Sequence, residues 1–201
     1  MPDRRSVLFA GSAALLLGAG LPATHLRAQD RAEALIRELG QELLEMLRLS
    51  ERSEREKRFR GLLLKGVDVE TLGGFVLGPH RRSLSPAQRG EYLKLFEDFL
   101  VQTYVSRLGL FSGQSFSIRG TQKLGEAEYL VQTHVEKPES RPIRLDWRVR
   151  DRSGAYRIID VMVEGISMAV TQREEFASVI SNGGGRIEAL LDQLRMRIAA
   201  S

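Results

Sequence analysis

Apolar positions change their spacing twice along this chain. From Asp30 to Leu49 they recur every three or four residues, and Leu35, Leu39, Leu43 and Leu47 form one stripe of an amphipathic helix. Glu51 to Arg60 interleaves acids and bases, which predicts a solvated helix face held by close ion pairs and anchored by Phe59, Leu62 and Leu63. Val69 to Leu77 predicts a short helix stopped by Gly78-Pro79. Ser85-Pro86-Ala87-Gln88 joins a capping serine, a proline in the first turn and a glutamine three residues on, so a helix starts there and runs to about Leu108. Its polar stripe is narrow: Glu91, Lys94, Asp98 and Gln102. Tyr92, Leu93, Leu95, Phe96, Phe99, Leu100, Thr103 and Tyr104 fill the rest, so it should be buried on more than one side.

From Gln114 the period becomes two. Strands are predicted over Ser115–Lys123, Glu126–Lys137, Pro142–Arg150 and Ala155–Glu164, parted by turns at Leu124-Gly125, Pro138–Ser140 and Ser153-Gly154. Short connections imply an antiparallel meander. The alternation puts Tyr129, Val131, Val135, Ile143, Leu145, Trp147, Val149, Ile159, Val161 and Val163 on one oily face. Gln132, His134, Arg144, Asp146, Arg148, Arg150, Asp160 and Glu164 fall on the other, and Thr133 and Arg157 are the inward polar positions. The period then returns to that of a helix. Thr171 and Glu174 have the spacing of a capping box ahead of a helix over Thr171–Ser181, which Gly183–Gly185 closes. A last helix carries Ile187, Leu190, Leu191, Leu194 and Ile198. Helices, then strands, then helices indicate an α+β domain: a four-stranded antiparallel meander packed on one face by several helices.

Composition adds a destination. Arg4 and Arg5 precede a short run, Val7–Leu21, rich in Ala, Leu and Gly, and Ala28 offers a small residue for cleavage. This is the pattern of a secretory leader over residues 1–28, with one domain over 29–201. The run is shorter than the ~20 residues of a comfortable membrane span, so an uncleaved anchor is the lesser reading. Arg4-Arg5 suits twin-arginine export and the late Phe9 suits general secretion, so both routes stay open. There is no cysteine, which removes thiol catalysis and disulfides and leaves the fold to its core. The formal charge of +4 falls on removal of Arg4, Arg5, Arg27 and Asp3, and a mildly basic exported chain gives no reason to expect nucleic acid as a partner.

The candidate chemistry is sparse. A cavity enzyme needs an acid or base aimed inward, and the strand carboxylates alternate outward. Asp160 and Glu164 stand four strand residues, roughly 13 Å, apart, so pairing with Arg144 or Arg148 on the next strand is expected instead. His80 and His134 lack a second histidine at ligand spacing. Gly183-Gly184-Gly185 has no following Lys-Ser/Thr and reads as a helix stop, not a phosphate loop. By pattern alone the oily face is an ordinary filled core.

The stretch from Trp147 to Ile180 nevertheless resembles the signature of the MlaC, or toluene-tolerance, family. The likeness rests on Asp146-Trp147-Arg148, Tyr156-Arg157-Ile158, Asp160-Val161, Val163-Glu164-Gly165-Ile166-Ser167, Thr171-Gln172-Arg173 and Glu175-Phe176-Ala177-Ser178. An earlier block agrees in the same order: Phe75-Val76-Leu77-Gly78, then Phe96 to Tyr104. The resemblance implies a periplasmic, non-enzymatic carrier with no cofactor, and a phospholipid whose acyl chains lie in a cavity between sheet and helices. It implies as partners an outer-membrane lipoprotein complex and an inner-membrane ABC-transporter complex with its substrate-binding ring protein, acting in outer-membrane lipid asymmetry. On this view the lipid-binding candidates are Val76, Phe96, Phe99, Leu100, Tyr104, Val131, Leu145, Trp147, Val149, Ile159, Val161, Val163, Ile166 and Met168. A hopanoid-associated carrier of the same family, a small α+β cavity isomerase or hydrolase, and a ligand-free envelope adaptor remain as alternatives.

Overall fold

The computed structural model describes residues 28–108, 115–136, 139 and 141–200. The predicted leader, 1–27, and most of the turn at 138–140 lie outside the described residues. Four helices come first: α1 (Ala28–Met46), α2 (Arg52–Gly66), α3 (Val69–Leu77) and α4 (Pro86–Leu108), with a 3₁₀ turn, Gly78–Arg82, between the last two. Strands β1 (Ser115–Lys123), β2 (Glu128–Glu136), β3 (Ile143–Arg152), β4 (Ala155–Val163) and β5 (Ile166–Ser167) follow, then α5 (Met168–Asn182) and α6 (Ile187–Ala199). The sheet is antiparallel in sequence order, one two-residue strand longer than the predicted four.

Local chemistry accounts for most boundaries. The Ser85–Gln88 box forms in both directions: the Ser85 amide donates to Gln88 Oε1 at 2.9 Å and the Gln88 amide to Ser85 Oγ at 3.2 Å. Asp68 caps α3 by accepting from the Thr71 amide at 2.9 Å. The charged run on α2 pairs chiefly with neighbouring helices: Arg58 with Glu42 of α1 at 3.3 Å and Arg60 with Asp98 of α4 at 2.7 Å. Ser153-Gly154 and Glu164-Gly165 both have positive φ at each residue and connect adjacent strands, the two-residue hairpin turn that matches strand twist.

Three expectations are corrected. First, α5 begins at Met168, with Ser167 as its cap; Ser167 Oγ accepts from the Val170 amide at 3.0 Å, and Thr171 instead donates to the Ser167 carbonyl. The Glu-Gly turn brings the chain round sooner than the Thr-x-x-Glu spacing suggested. Second, a bulge interrupts β3–β4, so Arg148 pairs with Asp160 but Val149 with Ile158. Ile159 is the extra residue and is buried along with Ile158. The shift in parity sends Tyr156 inward and sets Arg157 opposite Arg150, on the polar face. Third, among the described residues Asp160 and Glu164 form no salt bridge with Arg144 or Arg148, although Glu164, after Asp146, helps to raise the Arg144 guanidinium. Asp160 accepts from Ser167 Oγ at 2.6 Å and the Ala169 amide at 3.1 Å, which ties β4 to the start of α5, while Glu164 accepts from the Arg144 amide at 2.9 Å.

The core has two parts. The helical part joins Leu63, Val76, Leu77, Tyr92, Phe96, Phe99, Leu100 and Val101 to Phe176, Ile180, Leu190 and Leu194. Its rings interlock: Phe176 meets Phe96 edge-on at 6.2 Å, and the Tyr92 hydroxyl donates to the Gly73 carbonyl at 3.0 Å. The sheet part joins Ala32 and Ile36 of α1 to Tyr129, Val131, Val149, Tyr156 and Ile158. Val67 packs at the margin of both and bridges to Ile158, and the Asp68 amide donates to the Ile158 carbonyl at 3.0 Å. The α2–α3 junction therefore stitches the helices to β4.

Candidate functional site

The oily sheet face is closed at one end and half-covered at the other. Under α1, Tyr129, Val131, Val149, Tyr156 and Ile158 are buried. Further along the same face Val135, Ile143, Leu145, Trp147, Val161 and Val163 are only half-buried. They are brought together by register: Val135 opposite Ile143, Leu145 opposite Val163, Trp147 between Val131 and Val161. The polar side chain among them is Thr133, fully buried. Its hydroxyl donates to the Leu145 carbonyl at 2.8 Å and accepts from the Trp147 indole N–H at 2.9 Å. Both polar groups are thereby satisfied and the wall behaves as hydrocarbon.

The charges are managed on the opposite face. Arg144 grips Asp146, whose carboxylate is almost fully buried, at 2.6 Å. Glu128 accepts from Arg148 at 2.8 Å and Arg150 at 2.7 Å. Burial pushes the Glu128 carboxyl upward, but the hydrogen bonds from Arg150 and Arg148 outweigh it and hold the group below its ordinary range. These carboxylates are committed to arginines and are not aimed into the oily face. Among the described residues no group of three His, Cys, Asp or Glu side chains is arranged to hold a metal ion, and no helix is long and apolar enough to cross a membrane.

A separate cleft of about 300 Å³ opens between α4, α5 and α6. Phe99, Tyr104, Met168 and Ile198 make its apolar lining, and Gln102, Arg107, Gln172, Glu175 and Arg197 its polar rim. Burial raises the Tyr104 phenol, against an opposite pull from Arg107, so it stays protonated. Strand residues do not line this cleft.

The predicted positions therefore fall into several places. Val76, Phe96, Phe99 and Leu100 are buried in the helical core, with Tyr104 packed against it. Val131 and Val149 belong to the sheet core, with Trp147 and Val161 packed against that. Leu145 and Val163 are half-buried, Ile159 is buried at the bulge, and Ile166 stands exposed on the β4–β5 hairpin. Met168, Phe99 and Tyr104 meet in the cleft. The rim residues Arg107, Thr171, Glu175 and Arg197 were not anticipated. They are polar residues on amphipathic helices, and only helix packing sets them side by side.

A model of the family described as MlaC protein matches residues 34–196. The intermembrane phospholipid transport system binding protein MlaC of Haemophilus influenzae is 26% identical over 140 residues, which cover 68% of this chain and 64% of that protein, just under two thirds of its length. Among solved structures, a phospholipid-binding protein from Ralstonia solanacearum, determined in complex with a phospholipid, aligns with TM-score 0.73 at 20% identity, covering 84% of this chain and 97% of that one. The last likeness establishes the fold. With the family model spanning both core parts and the half-covered sheet face, the chain belongs to the MlaC family.

Proposed function

We propose that this protein is a periplasmic carrier that shields the acyl chains of a phospholipid and passes it between an outer-membrane lipoprotein complex and an inner-membrane ABC-transporter complex with its ring-forming binding component. The observation that carries the reading is the half-covered oily end of the sheet in a chain of this family, with relatives named for phospholipid binding and transport. Each methylene removed from water contributes ~0.8 kcal/mol, so two tails supply ample affinity from an apolar wall alone. In this reading the tails lie against Leu145, Trp147, Val161 and Val163, the half-buried apolar residues of that face. Export, by either route, with cleavage after Ala28 completes the reading.

Native mass spectrometry of the exported protein, followed by lipid extraction, tests it. A phospholipid adduct and an amino terminus at Gln29 are expected. A protein that emerges empty from a phospholipid-rich host, and stays empty after incubation with vesicles, rules the carrier out.

A further inference from the structure

The two stretches that carry the family likeness, far apart in sequence, meet on the surface. Arg173 of α5 lies over the ring of Phe75 at 5.3 Å from its centroid. It can do so because of Gly78, the residue that ends α3 at φ 59° and ψ −130°. A Cβ there would lie 2.9 Å from Arg173 Nε, and an L side chain resists that backbone conformation in any case. The guanidinium thus rests on the carbonyl end of α3, where the helix dipole favours a cation. Yet Phe75 is 40% exposed, Val170, one turn before Arg173, is 44% exposed, and Ile166, just ahead of α5, is 61% exposed. These are three of the few large apolar side chains left in solvent, and they sit at the junction of α3, α5 and β5. Arg81 and Arg82 lie on the 3₁₀ turn that starts at Gly78, and both are exposed. Among the described residues neither has a carboxylate partner. Of the nearby exposed acids, Glu174 stands beside Arg173, Glu175 is engaged by Arg197 at 3.7 Å, Glu164 on the β4–β5 turn accepts from the Arg144 amide at 2.9 Å, and Glu70 is taken by Arg89 at 2.6 Å.

Exposed apolar side chains, with two exposed arginines that have no carboxylate partner on the adjoining turn, match the chemistry of a bilayer surface that carries anionic lipid: the rings and branched chains enter the headgroup boundary, and the cations face phosphate. We infer that Phe75, Val170 and Ile166, with Arg81, Arg82 and Arg173, form a face that docks the protein on an anionic membrane surface. This goes beyond the cargo reading and stands without it.

Flotation of the full mature chain with vesicles tests the face, using phosphatidylcholine alone and phosphatidylcholine with one third phosphatidylglycerol. Binding to the anionic vesicles only, weakening with salt, is expected. Arg81→Gln with Arg82→Gln should lower it by roughly fivefold per charge, about 25-fold together. Phe75→Ser should lower it severalfold while leaving the salt dependence in place, and thermal unfolding at the wild-type temperature would show that the exposed substitutions leave the fold intact. Lipid co-purifying with these variants should match wild type, which separates this face from the cargo site. Equal binding to both vesicle types, no binding to either, or variants that float like wild type each overturn the inference. So does the result in which the variants lose an acidic protein partner while the wild-type chain never floats.

Discussion

The indole N–H of Trp147 donates to Thr133 Oγ1 at 2.9 Å, and these two side chains close the polar account of the half-covered sheet face. Thr133→Val keeps the shape but leaves the indole N–H without its acceptor, at a cost of about 1–3 kcal/mol. The urea midpoint should fall accordingly. Trp147 is the chain's one tryptophan, so its emission should report the loosened ring directly.

Val163 pairs with Leu145 on one side and Ile166 on the other, and it faces the half-covered space. On the carrier reading proposed above, Val163→Asn would place an amide against the acyl tails, where an unpaired polar group costs ~1–3 kcal/mol. Water can enter once the lipid leaves, so the variant should fold and co-purify with much less lipid. Glu164→Gln is the control, since glutamine keeps an oxygen that accepts from the Arg144 amide. Retention of lipid by Val163→Asn and its loss from Glu164→Gln would contradict the facing assigned here.

Two helical glycines should respond oppositely to alanine. Gly61 has open space around an added Cβ, so Gly61→Ala should raise stability by about 0.5–1 kcal/mol through helix propensity. At Gly40 the same atom would sit 2.7 Å from the Phe116 ring, where α1 crosses β1. Overpacking costs ~1–3 kcal/mol and exceeds the propensity gain, so Gly40→Ala should be destabilised. Denaturant midpoints of the two variants decide it.

Glu128, held below its ordinary value of 4.5 by Arg150 and Arg148 against the effect of burial, contributes stability that is present above that value. The contribution is lost as pH falls through the lower folded-state value, because the unfolded chain takes up the proton first. Stability measured from neutral pH to below 4.5 should therefore decline. Glu128→Gln should start lower and decline less; an unchanged slope would show that the arginine fork does not bias the carboxyl.

Much of this protein was determined locally. The Ser85–Gln88 box set the start of α4, the span of α3 followed from Val69–Leu77, and the facing of β2, β3 and the end of β4 was legible because side chains alternate with period two wherever no bulge intervenes. The apolar walls Leu145, Trp147, Val161 and Val163 were legible for the same reason. What the chain alone could not reveal arises where distant segments compete. The bulge that turns Ile158 and Tyr156 inward and Arg157 outward depends on pairing across β3. Asp160 became a tether for Ser167 and Ala169 instead of an arginine's partner because β5 folds back beside it. The placement of Val76 and Phe96 in the helical core and not against the sheet, the exposure of Ile166, and the meeting of Phe75 with Arg173 depend on which helix faces come to lie together. Periodicity says which side of an element is oily; only packing decides whether that side is filled, half-covered or left in water.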